Sequence, residues 1–236
     1  MPPKTDALVL LPALLCDSRL YQNMVEALET QVPIIFPEIW HVDNLAGLAR
    51  SMLESLPASF ALAGNSMGGY LALELLRQAP ERVTHLALIG TNAHADPEAA
   101  REKREQAIRL AEADKFKVFV DGYVVAALFE GNRQRCGQTL RAMARDLGAR
   151  ALVNEQMAIM SRRGSEDILP SISVPTVVVC GREDAFASPK AHSAMAKAIP
   201  GAPCHVIENC GHLVPLEAPD SMARMLDNLL ARQISS

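Results

Sequence analysis

Aromatic residues are scarce: one Trp, three Tyr and six Phe make up 4% of the 236 residues. No Lys/Arg run exists for them to interleave with, so the footprint of a nucleic-acid binder is absent. No apolar run reaches the length of a membrane span. Five cysteines (Cys16, Cys136, Cys180, Cys204, Cys210) are scattered, odd in number and without CxxC spacing. That pattern argues against a zinc site and against a disulfide framework, and fits free thiols in a reducing, cytoplasmic setting. The opening "MPPKTDALVLLPALL" lacks the small-residue cleavage pattern of a signal peptide and reads as a first core strand. No internal repeat, low-complexity tract or metal-ligand set stands out, and no cofactor is expected.

Apolar residues are 49% and charged residues 21%, with a net charge of −4. A chain of this length and composition makes one large domain, or a core carrying an insertion. Periodicity alternates between two kinds of segment. "ALVLL" (7–11), "VPIIF" (32–36, weakened by Pro33), "FALAG" (60–64), "VTHLALIG" (83–90), "TVVVCG" (176–181) and "PCHVIE" (203–208) read as strands. Helices are expected over 18–30, capped by Asp17 or Ser18; over 44–56, capped by Asp43; over 67–79; over 188–199, capped by Ser188; and over 222–233. The strands are continuous apolar runs rather than alternating ones, as in a parallel sheet covered on both faces. The expectation is an α/β fold with a mostly parallel six-stranded sheet. Right-handed crossovers then bring all strand C-terminal ends to one edge, where ligands bind.

Residues 94–166 interrupt the alternation. They are helical, strand-poor and rich in base, holding 13 of the 23 Lys and Arg. The segment leaves and returns at strand ends and is expected to lie over that edge as a lid. Residues 1–93 and 167–236 then form the core.

"ALAGNSMGGYLALELL" (61–76) places small residues where a strand ends and a helix begins. Gly64-Asn65-Ser66-Met67-Gly68 matches G-x-S-x-G, a sharp turn that exposes a serine hydroxyl, and the strand–helix context is the one that motif requires. A serine needs a base. Of the six histidines, His85 and His205 fall within strands and read as structural, and His192 reads as a helix-surface residue. His212, in "ENCGHLVPLEAPD", follows the last strand at the catalytic edge and is the candidate base. An imidazole needs a carboxylate. "VVVCGREDAF" offers Asp184, three residues past Gly181, with Glu183 in reserve. Two backbone N–H groups should meet the oxyanion. One is that of Met67, at a helix start, and the other is expected from the loop "LLPALLCD".

These motifs, "GNSMGG" (64–69), "GREDA" (181–185), "CGHLVPLEAPD" (210–220) and "LVLLPALLCDSRLY" (8–21), resemble those of the α/β-hydrolases over nearly the whole chain. The last is similar to the oxyanion loop of small bacterial esterases such as the pimeloyl-carrier-protein methyl ester esterases. The resemblance implies the α/β-hydrolase fold with a helical lid insertion. It implies nucleophile, acid and base at Ser66, Asp184 and His212, and an oxyanion hole from Leu14 and Met67. Pro12-Ala13 stands where the family usually has His-Gly, and Ala13 tolerates positive φ less well than glycine. The family's first two strands have no counterpart. "GNSMGG" also occurs in the meta-cleavage C–C hydrolases, but their glycine-rich oxyanion loop and longer lid are not seen.

The expected activity is a serine carboxylesterase acting on small or medium acyl esters, with Tyr123, Phe129, Met157, Met160 and Trp40 shaping the substrate pocket and His41 near it. Other readings are hydrolysis of an acyl thioester or of an ester on an acyl-carrier protein, which the basic lid would dock. Further ones are cofactor-free haloperoxidase or perhydrolase action, meta-cleavage C–C hydrolysis, and a non-enzymatic small-molecule receptor.

Overall fold

A computed structural model describes residues 5–232. Six strands form one all-parallel sheet: β1 (Ala7–Leu11), β2 (Ile34–Ile35), β3 (Phe60–Asn65), β4 (Val83–Ile89), β5 (Thr176–Gly181) and β6 (Cys204–Ile207), in the order β2-β1-β3-β4-β5-β6. Every residue of β1, β3, β4 and β5 is buried. Their unbroken Leu, Ala, Val and Ile runs follow from that, because helices cover both faces. The two edge strands are short and half-exposed. Pro33 stands just before β2, and only two of the five expected residues there pair with the sheet.

The connecting helices are α1 (Gln22–Glu26), α2 (Leu45–Ser55) and α3 (Met67–Gln78), then α4 (Glu98–Glu112), α5 (Phe116–Ala127) and α6 (Arg133–Ser161) between β4 and β5, and finally α7 (Pro189–Ala198), α8 (Val214–Glu217) and α9 (Pro219–Leu230). Several expectations change in detail. The helix expected over 18–30 is a 3-10 turn, capped by Asp17, followed by the short α1. α2 is capped by Asn44 and not Asp43: Asn44 Oδ1 accepts from the Gly47 N–H at 2.8 Å. α7 carries the expected cap, Ser188. The last helix begins three residues early, at Pro219, and Gln233 lies outside the described residues.

The all-helical insert between β4 and β5 is braced by ion pairs. Asp96 is held by Arg162 at 2.7 Å and by Arg104. Burial alone would raise the Asp96 carboxyl, but the two guanidinium groups outweigh it and hold it below its ordinary value. α6 is broken at Gly148, whose φ of 83° is open to glycine and strained for other residues.

Candidate active site

The strand order brings the C-terminal ends of β1, β3, β4 and β5 side by side. Ser66 occupies the turn between β3 and α3 with φ 56° and ψ −111°. A non-glycine residue there is strained, and the surroundings must enforce it. They do so by close approach. A Cβ on Gly64 would lie 2.2 Å from the Gly68 carbonyl oxygen, one on Gly68 would lie 2.0 Å from the Leu11 carbonyl oxygen of β1, and one on Gly69 would lie 2.5 Å from the Thr91 side chain. The glycines let helix, strand and turn touch backbone to backbone. The Ser66 N–H donates to the Ile89 carbonyl at 2.8 Å, and its own carbonyl accepts from Thr91 Oγ1 at 2.9 Å.

His212 and Asp184 meet in the loops after β6 and β5. His212 Nδ1 lies 2.8 Å from Asp184 Oδ2, and both residues are buried. Asp184 Oδ1 accepts the N–H groups of Phe186 at 2.8 Å and Ala187 at 3.0 Å. Burial would push the Asp184 carboxyl up, but the facing imidazole and these N–H donors reverse that and hold it below its ordinary value. Glu183 is exposed and turns away, accepting from the Cys210 N–H at 2.9 Å. With Nδ1 committed to Asp184, Nε2 is the ring nitrogen left for proton transfer. No hydrogen bond among the described residues occupies His212 Nε2 or Ser66 Oγ; such bonds commonly tighten only when substrate binds.

Two residues that sequence reasoning passed over hold these parts together. Asn65 Nδ2 donates to the Ile89 carbonyl at 3.2 Å and to the His212 carbonyl at 3.1 Å, stapling the serine turn to the histidine loop. Glu217, on α8, is buried. Its Oε1 accepts from Gly211 N at 3.1 Å and Leu213 N at 3.3 Å, on either side of His212. Its Oε2 accepts from Phe129 N at 2.9 Å and Asn132 Nδ2 at 3.0 Å, at the α5–α6 joint of the insert. Burial pushes this carboxyl above its ordinary value while the four donors counter it. The insert also holds the histidine directly, since the His212 N–H donates to the Ala127 carbonyl at 2.8 Å.

The Met67 N–H opens α3, where the first backbone donors have no partner within the helix and the dipole is positive. In the loop after β1, the Cys16 N–H closes a turn on the Ala13 carbonyl, the Leu15 N–H goes to Glu155 and the Asp17 N–H to Met143 Sδ. Among the described residues the N–H groups of Ala13 and Leu14 have no acceptor. The left-handed residue of this loop is Leu15, with φ 53°, rather than Ala13.

Of the expected pocket residues, Tyr123 belongs to a row of rings that reaches the histidine. Phe119 stacks on Tyr123 at 5.9 Å, Tyr123 tilts against Phe186 at 6.0 Å, and Phe186 covers the His212 ring at 4.7 Å. Phe186, 53% exposed, was not anticipated, although it stands two residues past Asp184 on the same loop. Trp40 reaches the insert through its carbonyl, which accepts from Asn154 Nδ2 at 3.2 Å, and its ring lies 5.4 Å from that of His41. Phe129 sits at the α5–α6 joint beside Gly131, Met157 is exposed, and the Met160 carbonyl accepts from Arg101. His192 is not on a helix surface: it is fully buried, with Nδ1 3.0 Å from the Ser188 carbonyl oxygen. His85 is buried as expected, whereas His205 is exposed on the edge strand. No cluster of three metal-ligating side chains occurs among the described residues, and no helix there is long and apolar enough to cross a membrane.

The family model described as "Alpha/beta hydrolase family" matches residues 29–225. The chain belongs to the alpha/beta hydrolase family. Among its curated relatives, the 2-hydroxymuconate semialdehyde hydrolase of Pseudomonas putida is 28% identical over 180 residues, which are 72% of this chain and 62% of that one. A 2-hydroxy-6-oxononadienedioate/2-hydroxy-6-oxononatrienedioate hydrolase of Pseudomonas sp is 25% identical over 194 residues, 79% of this chain and 69% of the relative. This alpha/beta hydrolase thus spans about two thirds of the length of the curated relatives it matches. A thermophilic esterase from Thermogutta terrifontis superposes with a TM-score of 0.86 at 23% identity, over 100% of this chain and 93% of that one. The enol-lactonase of Burkholderia xenovorans LB400 superposes with 0.83 at 21%, over 98% and 93%. At these identities the two structures share the fold.

Proposed function

We propose that this alpha/beta hydrolase is a serine hydrolase that cleaves small or medium acyl esters through an acyl-enzyme on Ser66. The observation that carries the reading is the buried 2.8 Å pair of Asp184 and His212 beside a serine held on a strained, glycine-lined turn. Asp184 fixes the tautomer in which Nε2 is the basic nitrogen, and it stabilises the cation formed when Ser66 gives up its proton. Ser66 Oγ attacks the ester carbonyl, and the developing oxyanion is met by the N–H groups of Met67 and Leu14. His212 passes the proton to the departing alcohol, then activates a water that releases the acid and frees Ser66. No step calls for a metal or cofactor. The insert acts as a lid, with Tyr123 and its aromatic neighbours forming the acyl side of the cleft and Phe129, Met157, Met160 and Trp40 bounding it further out.

A carrier-protein substrate receives less support. Arg101, Arg104, Arg109, Arg133, Arg135, Arg141, Arg145 and Arg162, eight of the insert's 13 Lys and Arg, are each bonded within the chain, so most of its positive charge has an internal partner. The names of the curated relatives favour a second reading, hydrolysis of a C–C bond in a 2-hydroxy-6-oxo dienoate, by the same three residues.

The test is turnover of p-nitrophenyl esters of increasing chain length beside a 2-hydroxy-6-oxo dienoate, wild type against Ser66→Ala. Ester turnover that peaks at one chain length and vanishes in Ser66→Ala supports the first reading. Dienoate turnover without ester turnover moves the assignment to the second. Activity that survives Ser66→Ala removes both.

A further inference from the structure

The insert makes a second buried contact with the catalytic edge, through a carboxyl that the mechanism above leaves unused. Glu155, on α6, is 0% exposed. Its Oε2 accepts the Leu15 N–H at 2.8 Å, and its Oε1 is buried with no hydrogen-bond partner among the described residues. Burial pushes its carboxyl up to about 8, with the Leu15 N–H pulling the other way. Stability does not account for such a group. A buried carboxyl with an unpaired oxygen is costly, and the one bond it makes, from the Leu15 N–H, offsets only part of that cost.

Its one partner is informative. Leu15 stands in the left-handed region, at φ 53°, in the loop that supplies the second oxyanion donor. A leucine does not adopt that conformation unaided. The Ala13–Cys16 turn closes one side of the loop, and the Met143 Sδ contact with the Asp17 N–H closes the other. Glu155 holds the peptide plane between Leu14 and Leu15, and with it the torsions on which the aim of the Leu14 N–H depends. The loop has no His-Gly at Pro12-Ala13, so its shape is imposed from outside, by the insert.

We propose that Glu155 is a positioning residue for the oxyanion loop, through which the insert sets the direction of the Leu14 N–H. The inference rests on the acyl-transfer reading of Ser66 and extends it. It assigns the insert a part in transition-state stabilisation in addition to pocket shape.

The experiment compares Glu155→Gln and Glu155→Met with wild type. It measures kcat and KM on the best p-nitrophenyl ester, thermal unfolding, and hydrogen exchange at the Leu15 amide. Glu155→Gln keeps an oxygen for the Leu15 N–H and is expected within about 3-fold of wild-type kcat. Glu155→Met is expected to lose roughly 10- to 100-fold in kcat with KM within about 2-fold, since small misplacements of catalytic donors act on the rate. It should melt close to the wild-type temperature, because relief of the buried carboxyl and the stranded Leu15 N–H oppose each other, while its Leu15 amide exchanges faster. A purely structural role would show the reverse, a lower melting temperature with kcat intact, and would overturn the proposal. So would equal kcat losses in both variants, or unchanged Leu15 exchange in Glu155→Met. The last readout needs no turnover, so it stands even if hydrolysis proves independent of Ser66, a result that would sink the underlying reading instead.

Discussion

Replacing Glu217 by leucine should be among the most damaging single changes away from the reacting atoms. The carboxylate takes N–H bonds from Gly211, Leu213 and Phe129 and from the Asn132 amide, at 2.9 to 3.3 Å. Leucine accepts none of them. The Gly211 and Leu213 donors are buried, and each stranded buried donor costs about 1–3 kcal/mol. Counting the half-buried Phe129 N–H at the low end, the loss is about 3–7 kcal/mol. For a chain of this size each kcal/mol moves the melting temperature by about 2–4 °C, so a fall of roughly 6–28 °C is expected. Glu217→Gln keeps one accepting oxygen but turns an NH2 toward the other pair of donors, and should fall between leucine and wild type. The assay is thermal unfolding by circular dichroism at pH 7, paired with ester turnover, because two of the lost bonds flank His212. A leucine variant that melts within about 2 °C of wild type would refute the reasoning, since the four bonds would then carry no net stabilisation.

Asp184→Asn should cost on the order of 10³–10⁴ in kcat, because the amide no longer fixes the imidazole tautomer, while Glu183→Gln stays within a few-fold; pre-steady-state ester hydrolysis separates the two, and the opposite ranking would reassign the acid. Asp96 is held below its ordinary value, so its contribution to stability is complete above the unfolded carboxylate pKa and is lost as pH falls through the lower folded value. Urea midpoints from pH 6 down to pH 3 should therefore drop less steeply in Asp96→Asn than in wild type, and parallel curves would count against the Arg104 and Arg162 pairing. Gly68→Ala drives a methyl to within 2.0 Å of the Leu11 carbonyl oxygen, and should either prevent soluble expression or lower urea stability by several kcal/mol, about the upper range for single substitutions.

Much of the architecture was legible because it depends on local pattern. Continuous apolar runs separated by amphipathic ones give the parallel sheet, and the β3–α3 glycines announce the turn at Ser66. Asp184 and His212 could be nominated because both stand in loops at strand ends, which the topology gathers on one edge. What escaped was non-local. Asn65 acts through backbone groups 24 and 147 positions away, and Glu217 joins its own loop to Phe129, 88 positions back, a link that no spacing rule gives. Glu155 carries no local signal that sets it apart from the other charges of the insert, and its partner Leu15 is 140 positions away. His192 was misjudged for a different reason. His192, Met195, Ala196 and Ile199 recur at i, i+3, i+4 and i+7 on the buried stripe of α7, a position that residue polarity alone conceals. The choice of Asn44 over Asp43 as cap rests on one residue of register, finer than periodicity resolves.

The hydrogen bond from the His212 N–H to the Ala127 carbonyl bears on engineering. The insert looks detachable, a run of helices threaded between two strands, and it invites exchange with inserts of other lengths to alter substrate range. Its α5–α6 joint, however, supplies the acceptor that seats His212 and the donors that seat Glu217. A chimera that retains residues 127–132 keeps His212 seated while the rest of the insert is exchanged. One that replaces them trades away the footing of His212 along with the old insert, and its inactivity would say nothing about the new insert's fit to substrate.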